Sequence, residues 1–408
     1  MSEPTAHGPN VAADDGLPPF PMARTCPFDP PAAYAGLRET GRLNRVQLYD
    51  GETAWVANRY EDIKALFNDP RLSSDRAADG YPKFSPRAEV THKQVRLFMF
   101  MDDPEHREHR KALLPRFTVR QIDQMRPFIT ETVDGFLDAM LAAGPPADLV
   151  TDLALPVACS TIGHLLGVPY ADFELFRDRF TRLITATSGE DAGLVTLEAM
   201  TFLHKLIQDK ADDPGDDLLS TLVVEQLKTE RMSHMDLLYI AALMMFAGHE
   251  TTANMISLGA LTLLEHPEQL AALRDGSVPT TAVVEELLRY LSIVDTVPRV
   301  ATEDVAVGEH TVRAGEGLVL PLAAANRDPE HFPEPDTFDV RRQARHHLSF
   351  GHGIHQCLGQ NLARVELEIT LDHLFRRVPG LRLAKPVAEL PLKSAIEVQG
   401  ISALPVTW

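Results

Sequence analysis

One cysteine stands among three glycines in Phe350-Gly351-His352-Gly353-Ile354-His355-Gln356-Cys357-Leu358-Gly359. A single cysteine is ordinarily a small buried hydrophobe. Here Gly351 and Gly353 let the chain turn tightly and bring backbone N–H groups close to the sulfur. A helical pattern begins at Gln360, and Gly359 removes a side chain where the helix start would meet a flat ligand. A thiolate at a helix N-terminus, among amide donors, has a lowered pKa and is a soft metal ligand. With His346, His347, His352 and His355 nearby, the residue types alone also allow a zinc site.

Ala247-Gly248-His249-Glu250-Thr251-Thr252 is a second constellation. A helical threonine commonly bonds the carbonyl four residues back, here Ala247, and bends the helix. An acid and an alcohol in one buried helix can also relay protons, and the small Ala247-Gly248 pair admits a flat ligand to the backbone. His249 reads as packing or solvent-linked. Zinc accounts for neither this pair nor the three glycines. Glu286 and Arg289 form an i,i+3 pair of a kind common on helix surfaces; their order is the informative feature, after the threonine pair and well before the cysteine. His106 and Arg110 share one helix face within Met101–Arg110. Arg299 lies in Val297-Pro298-Arg299-Val300-Ala301, and a planar guanidinium suits bidentate carboxylate binding.

The spacings F-G-x-G-x-H-x-C-x-G, [A/G]-G-x-[D/E]-T-T, E-x-x-R and H-x-x-x-R resemble those of the cytochrome P450 family, over essentially the whole chain from Arg24 to Trp408. Within it the chain looks like the soluble actinobacterial enzymes that hydroxylate macrolides, statins, sterol-like molecules and xenobiotics. The resemblance implies a mainly α fold with a minor β part, with haem between a long central helix and a C-terminal cysteine loop. It implies haem b (iron protoporphyrin IX) with Cys357 as axial thiolate. Thiolate donation would favour O–O cleavage, inserting one oxygen atom from dioxygen into a C–H bond of a lipophilic small molecule. His106, Arg110, Arg299 and His355 would meet the haem carboxylates, with Ala247, Phe350 and Gly359 against the cofactor. Thr251 would hydrogen-bond dioxygen and Glu250 would relay protons with it, Thr252 being structural. Glu286 and Arg289 would brace the cysteine loop through the meander near Phe338 or Arg341-Arg342. By family position the substrate pocket draws on Phe98, Met99, Leu243, Met244, Ala247, Ile293, Val294 and Ile396.

Electrons would come from NAD(P)H through a ferredoxin reductase and ferredoxin. Basic residues gather as a candidate dock for an acidic ferredoxin: Arg107, Arg110, Lys111, Arg116 and Arg120; Arg341, Arg342 and Arg345; Arg364, Arg376 and Arg377. The alternative is a peroxide-driven or non-oxygenating haem-thiolate enzyme, against which the intact Glu250-Thr251 pair argues.

These residues need elements to hold them. Ser233 and Asp236 read as a capping box opening a helix to Glu265, 33 residues from Ser233 and ~50 Å long at ~1.5 Å per residue. It is apolar nearly all round, so it is expected to be buried. Asp50-Gly51 predicts a hairpin between Arg45–Tyr49 and Ala54–Ala57. Helices are expected over Pro31–Glu39 and Tyr60–Asn68, successively from Pro104 to about Glu230, over Pro267–Gly276 and Pro279–Leu291, and from Gln360 to Val378. Short strands are expected at Val297–Ala301, Val305–Val307, His310–Val312 and Leu318–Leu320, and again within Leu381–Trp408. The polar stretch from Arg71 to Arg96 reads as a long functional loop. Residues 1–20 are expected to be flexible, and 21–408 to form one domain.

With 39 basic and 58 acidic residues the chain carries −19, which speaks against nucleic acid or an anionic membrane surface as partner. Three distant cysteines suit a reducing cytoplasm without a disulfide framework. There is no export-signal pattern at residues 1–22, and the longest apolar run, Leu237–Gly248, is too short to span a bilayer. A cytoplasmic monomer without a membrane anchor is expected.

Overall fold

The computed structural model describes residues 16–85, 96–169, 172, 175, 189–393 and 398–408. Helix α1 (Ala33–Thr40) leads into an antiparallel hairpin of β1 (Leu43–Gln47) and β2 (Thr53–Ala57), with Gln47 opposite Thr53. Gly51, at φ +87°, takes the left-handed conformation that such a turn demands. Helix α2 (Tyr60–Leu66) and the short β3 (Leu72–Ser73) follow. Then come α3 (Glu105–Leu113), α4 (Val119–Ala143) and β4 (Ala147–Asp148). A π turn at Val150–Ala154 runs into α5 (Leu155–Leu166), which Gly167 ends in the left-handed region at φ +71°. Helices α6 (Gly189–Asp212) and α7 (Leu218–Leu222) precede the central helix α8 (His234–Glu265).

Beyond it lie α9 (Pro267–Arg274) and α10 (Thr280–Leu291), then β5 (Thr296–Ala301), β6 (Val305–Val307), β7 (His310–Val312) and β8 (Gly317–Pro321). A short α11 (Leu322–Ala325), α12 (Gln360–Arg377), β9 (Arg382–Leu383) and β10 (Pro405–Thr407) complete the chain. The main sheet runs β1-β2-β8-β5-β3, so N-terminal strands pair with a late one as the sequence suggests. A second sheet joins β4, β10 and β9.

Ser233 caps α8: its hydroxyl accepts from the Asp236 N–H while the Asp236 carboxylate accepts from the Ser233 N–H. Apart from the half-buried Tyr239, the helix is buried from Leu237 to Met245 and from Thr252 to Leu263, as its all-round apolar sequence requires. It packs on α5 and α12. A Cβ on Gly248 would meet Ile162 Cδ1 at 2.3 Å, and one on Gly259 would meet Leu287 Cδ1 at 3.3 Å. Gly248 therefore serves helix packing; of the small pair expected to admit a ligand, Ala247 is the exposed member.

Two boundaries differ from expectation. The N-terminal segment expected to be flexible to residue 20 is already paired at its end: Phe20 N–H donates to Gln47 O (2.8 Å), Gln47 N–H donates to Pro18 O (3.0 Å), and the Phe20 ring is buried. An aromatic side chain at the sheet edge supplies the apolar surface that the preceding residues lack. The Arg71–Arg96 loop begins with an ordered strand, β3, paired to β5; residues 86–95 lie outside the described part.

Candidate active site

The cysteine loop is shaped by two glycines at positive φ, Gly351 (+67°) and Gly353 (+73°). At Gly353 a Cβ would also meet Phe67 O at 2.7 Å and Asn68 Oδ1 at 2.9 Å, so the loop lies too close to the α2 terminus for any side chain. Cys357 N–H donates to Phe350 O (2.8 Å), which closes the loop, and Gly359 caps α12. The Cys357 side chain has open surface yet lies deep among protein atoms, so it lines an internal recess. The helix-terminus argument predicts a lowered thiol pKa; here burial wins and pushes it up, against the Gly359 N–H, Arg110 and Arg364.

Four nitrogen-bearing side chains gather beside this loop. His106 on α3 is buried, and neither ring nitrogen has a hydrogen-bond partner among the described residues. Its ring lies 4.0 Å from that of His355, centroid to centroid. His355 Nε2 faces Ser74 Oγ at 3.0 Å while its Nδ1 is unpartnered. Arg110 donates to Gln356 O (2.7 Å) from the turn after His106. Arg299 on β5 is buried and bonds the Pro298 carbonyl at 2.8 Å. Burial, then Arg299, His106 and Arg110, push His355 down to about 3. Burial likewise lowers His106, with Arg110 adding to it. Of the nearby carboxylates, Asp102 is occupied by Ser73 Oγ and the Ser74 N–H, and Asp103 Oδ1 lies 3.7 Å from His106 Nδ1. Buried donors with so few acceptors fit an anionic ligand with carboxylates.

The Glu286–Arg289 pair is fully buried and doubly bonded, at 2.8 Å for both Nε–Oε2 and Nη2–Oε1. Arg289 also donates to the carbonyls of Asn326 (2.8 Å), Pro335 (2.8 Å) and Thr337 (3.2 Å). Glu286 Oε1 accepts from the Asp339 N–H (3.0 Å) and Arg342 Nε (3.3 Å). The meander contacts expected near Phe338 and Arg341-Arg342 thus fall on Asp339 and Arg342.

On α8, residues 246–251 break the buried run. Phe246 (42% exposed) and Ala247 are open and Gly248, Glu250 and Thr251 partly so, while His249 is buried. Thr251 Oγ1 donates to Ala247 O at 2.5 Å, the local bond its helical position allows. Glu250 Oε1 accepts from Lys393 Nζ at 3.1 Å. His249 is without a hydrogen-bond partner for its ring nitrogens among the described residues and is pushed down to about 4 by burial.

Among the expected pocket residues, Phe98, Leu243, Met244 and Ile293 are buried, Val294 is half-buried, Met99 is 43% exposed, and Ile396 lies outside the described part. Sequence reasoning missed Phe246, which is indistinguishable from its apolar neighbours until the helix shows which face is open. It also missed Lys393 and Ser74, whose partners are 143 and 281 residues away.

Several proposed docking cations have acidic partners: Arg116 with Asp216, Arg342 with Glu286, Arg364 with Glu285, Arg376 with Asp372, and Arg377 with Asp134 and Asp138. Lys111, Arg120 and Arg345 are exposed and have no ion pair among the described residues.

Residues 192–276 and 279–378 match the Cytochrome P450 family. Pentalenic acid synthase of Streptomyces avermitilis is 49% identical over 408 residues, 100% of both chains. Vitamin D3 dihydroxylase of Streptomyces griseolus is 49% identical over 393 residues, 96% of this chain and 97% of the other. The crystal structure of cytochrome P450 MoxA from Nonomuraea recticatena superposes with a TM-score of 0.91 at 45% identity, covering 96% of this chain and 98% of that one. The chain belongs to the cytochrome P450 family. It is a monooxygenase, an oxidoreductase whose fold holds a haem iron between the central helix, here α8, and the cysteine loop.

Proposed function

We propose that this protein binds haem b through Cys357 and hydroxylates a lipophilic natural product or xenobiotic. The observation that carries the reading is the set of unpartnered buried ring nitrogens, both of His106 and Nδ1 of His355, with the buried Arg299, beside the accessible Cys357 sulfur. With Arg110 they would hold the haem carboxylates, and Ala247, Phe350 and Gly359 would lie against the cofactor. When bound, the haem supplies dioxygen activation, one oxygen atom entering a C–H bond and the other leaving as water. Glu250 and Thr251 would move protons from solvent to the reacting oxygen. Glu286 and Arg289 keep the cysteine loop in place.

Relatives named for action on vitamin D3 and on mycinamicin VIII, with the apolar surface of Phe246 and Met99, support a lipophilic substrate. Electrons would arrive from NAD(P)H through ferredoxin reductase and ferredoxin.

The test is titration of the haem-loaded protein with a panel of such molecules, read by the spin-state change in the absorption spectrum. Turnover of each binder with a ferredoxin system under isotopically labelled dioxygen follows. One labelled oxygen atom in the product is expected. Oxidation only with added peroxide, without label from dioxygen, would move the assignment to the peroxide-driven class.

A further inference from the structure

The acid and the alcohol of the central helix are both engaged elsewhere. Thr251 Oγ1 donates along its own helix to Ala247 O. The Glu250 carboxylate is held by Lys393, whose Nζ donates to Glu250 Oε1 at 3.1 Å and to Asn254 Oδ1 at 2.8 Å. Glu250 and Asn254 are one turn apart, so a single ammonium grips one face of α8. The grip is built in. The Lys393 side chain is 16% exposed and that of Glu250 31%. Lys393 N–H donates to Gly400 O (2.9 Å), and a Cβ on Gly400 would meet Asn254 Oδ1 at 2.4 Å, so the C-terminal chain is pressed against the helix there. The same segment is tied on its other side to the end of α10, where Gln399 N–H donates to Ile293 O (2.7 Å) and Val398 bridges Val294.

We infer that Lys393 is a positioning residue that latches Glu250 to the C-terminal segment and restrains its proton transfer. This rests on the reading that Glu250 carries protons. In each cycle the carboxylate leaves Lys393, takes a proton from water, gives it up through the Thr251 hydroxyl, and returns to the ammonium as carboxylate. No electron moves at either residue. Because Lys393 hangs on the segment that also braces Ile293 and Val294, the latch ties proton supply to the apolar wall next to it.

The experiment needs no substrate. The haem-loaded protein is reduced, saturated with dioxygen, mixed rapidly with a reduced ferredoxin in H2O or D2O buffer, and followed by its return to the ferric absorption spectrum; with this second electron the bound dioxygen takes up two protons and leaves as hydrogen peroxide. Lys393→Met keeps the apolar stem and removes the ammonium. It is expected to speed the return about tenfold, the factor equivalent to ~1.4 kcal/mol, and to shrink the solvent isotope effect. Lys393→Arg should behave as the parent, and the gain should vanish in Lys393→Met/Glu250→Gln. If Lys393→Met matches or slows the parent while Glu250→Gln is impaired, the latch is overturned and the proton role of Glu250 stands. If Glu250→Gln itself matches the parent, that role falls and the latch with it. Failure of both Lys393→Met and Lys393→Gln to retain haem would make the pair a structural tie, and would also overturn the latch.

Discussion

His249 fills the variable position of the acid–alcohol motif, and its imidazole is buried without a hydrogen-bond partner for either nitrogen among the described residues. Burial holds it down to about 4, with the Leu155 backbone opposing and the Lys393 charge assisting. An unfolded histidine takes its proton near 6.5, so as pH falls the unfolded chain gains this proton before the folded one. The contribution of His249 to stability is therefore complete above about 6.5 and is lost as pH falls through the window down to about 4. Urea unfolding across that window should show a slope of up to ~1.4 kcal/mol per pH unit that His249→Leu removes; equal slopes in the two proteins would contradict the assignment. Cys357 shows the opposite bias, a thiol raised by burial. Its motif was plain in the sequence, but its protonation was not, because desolvation depends on how much protein closes over the sulfur.

At the scale of elements, the central helix was legible from a capping box and an apolar run, and its start agrees with the Ser233 cap. Strands β5 to β8 fell on the four segments expected to be strands. What was not legible was which side of α8 would be open. Phe246 sits in the same apolar run as the buried Met245, and only the packing of α5 against Gly248 fixes the rotation. The spacing of Glu286 and Arg289 alone is that of a common surface pair, and only the resemblance pointed to the meander; the pair is wholly buried, its remaining donors and acceptors met 37 to 56 residues later in sequence. Arg289→Ala would leave the buried Glu286 carboxylate with only Arg342 Nε and the Asp339 N–H, and breaking a buried pair costs up to ~3–5 kcal/mol. The expected result is protein that fails to retain haem, read as the haem-to-protein absorbance ratio after purification; normal haem content with altered product choice would contradict a bracing role. Gly353→Ala should also lower haem retention. It combines a left-handed φ with a clash at Phe67 O.

For the whole molecule, charge is the property the sequence reports most directly and locates least well. A net −19 coexists with a basic group around the cysteine loop, much of it internally neutralised by acidic partners. The exposed remainder without an ion pair among the described residues, Lys111, Arg120, Arg341 and Arg345, is the part proposed to meet an acidic redox protein. Lys111→Glu/Arg120→Glu should slow electron transfer from ferredoxin and weaken its salt dependence, with substrate binding unchanged; identical rates at low and high salt in the parent would dismiss this face as the dock. No helix among the described residues is long and apolar enough to cross a membrane. The central claim, that Cys357 carries haem iron as a thiolate in a monooxygenase site, meets its most direct test in one spectrum. The purified protein, reduced and exposed to carbon monoxide, should show a strongly red-shifted Soret band. A Soret band at the ordinary carbonyl-haem position, or no bound haem at all, would contradict it.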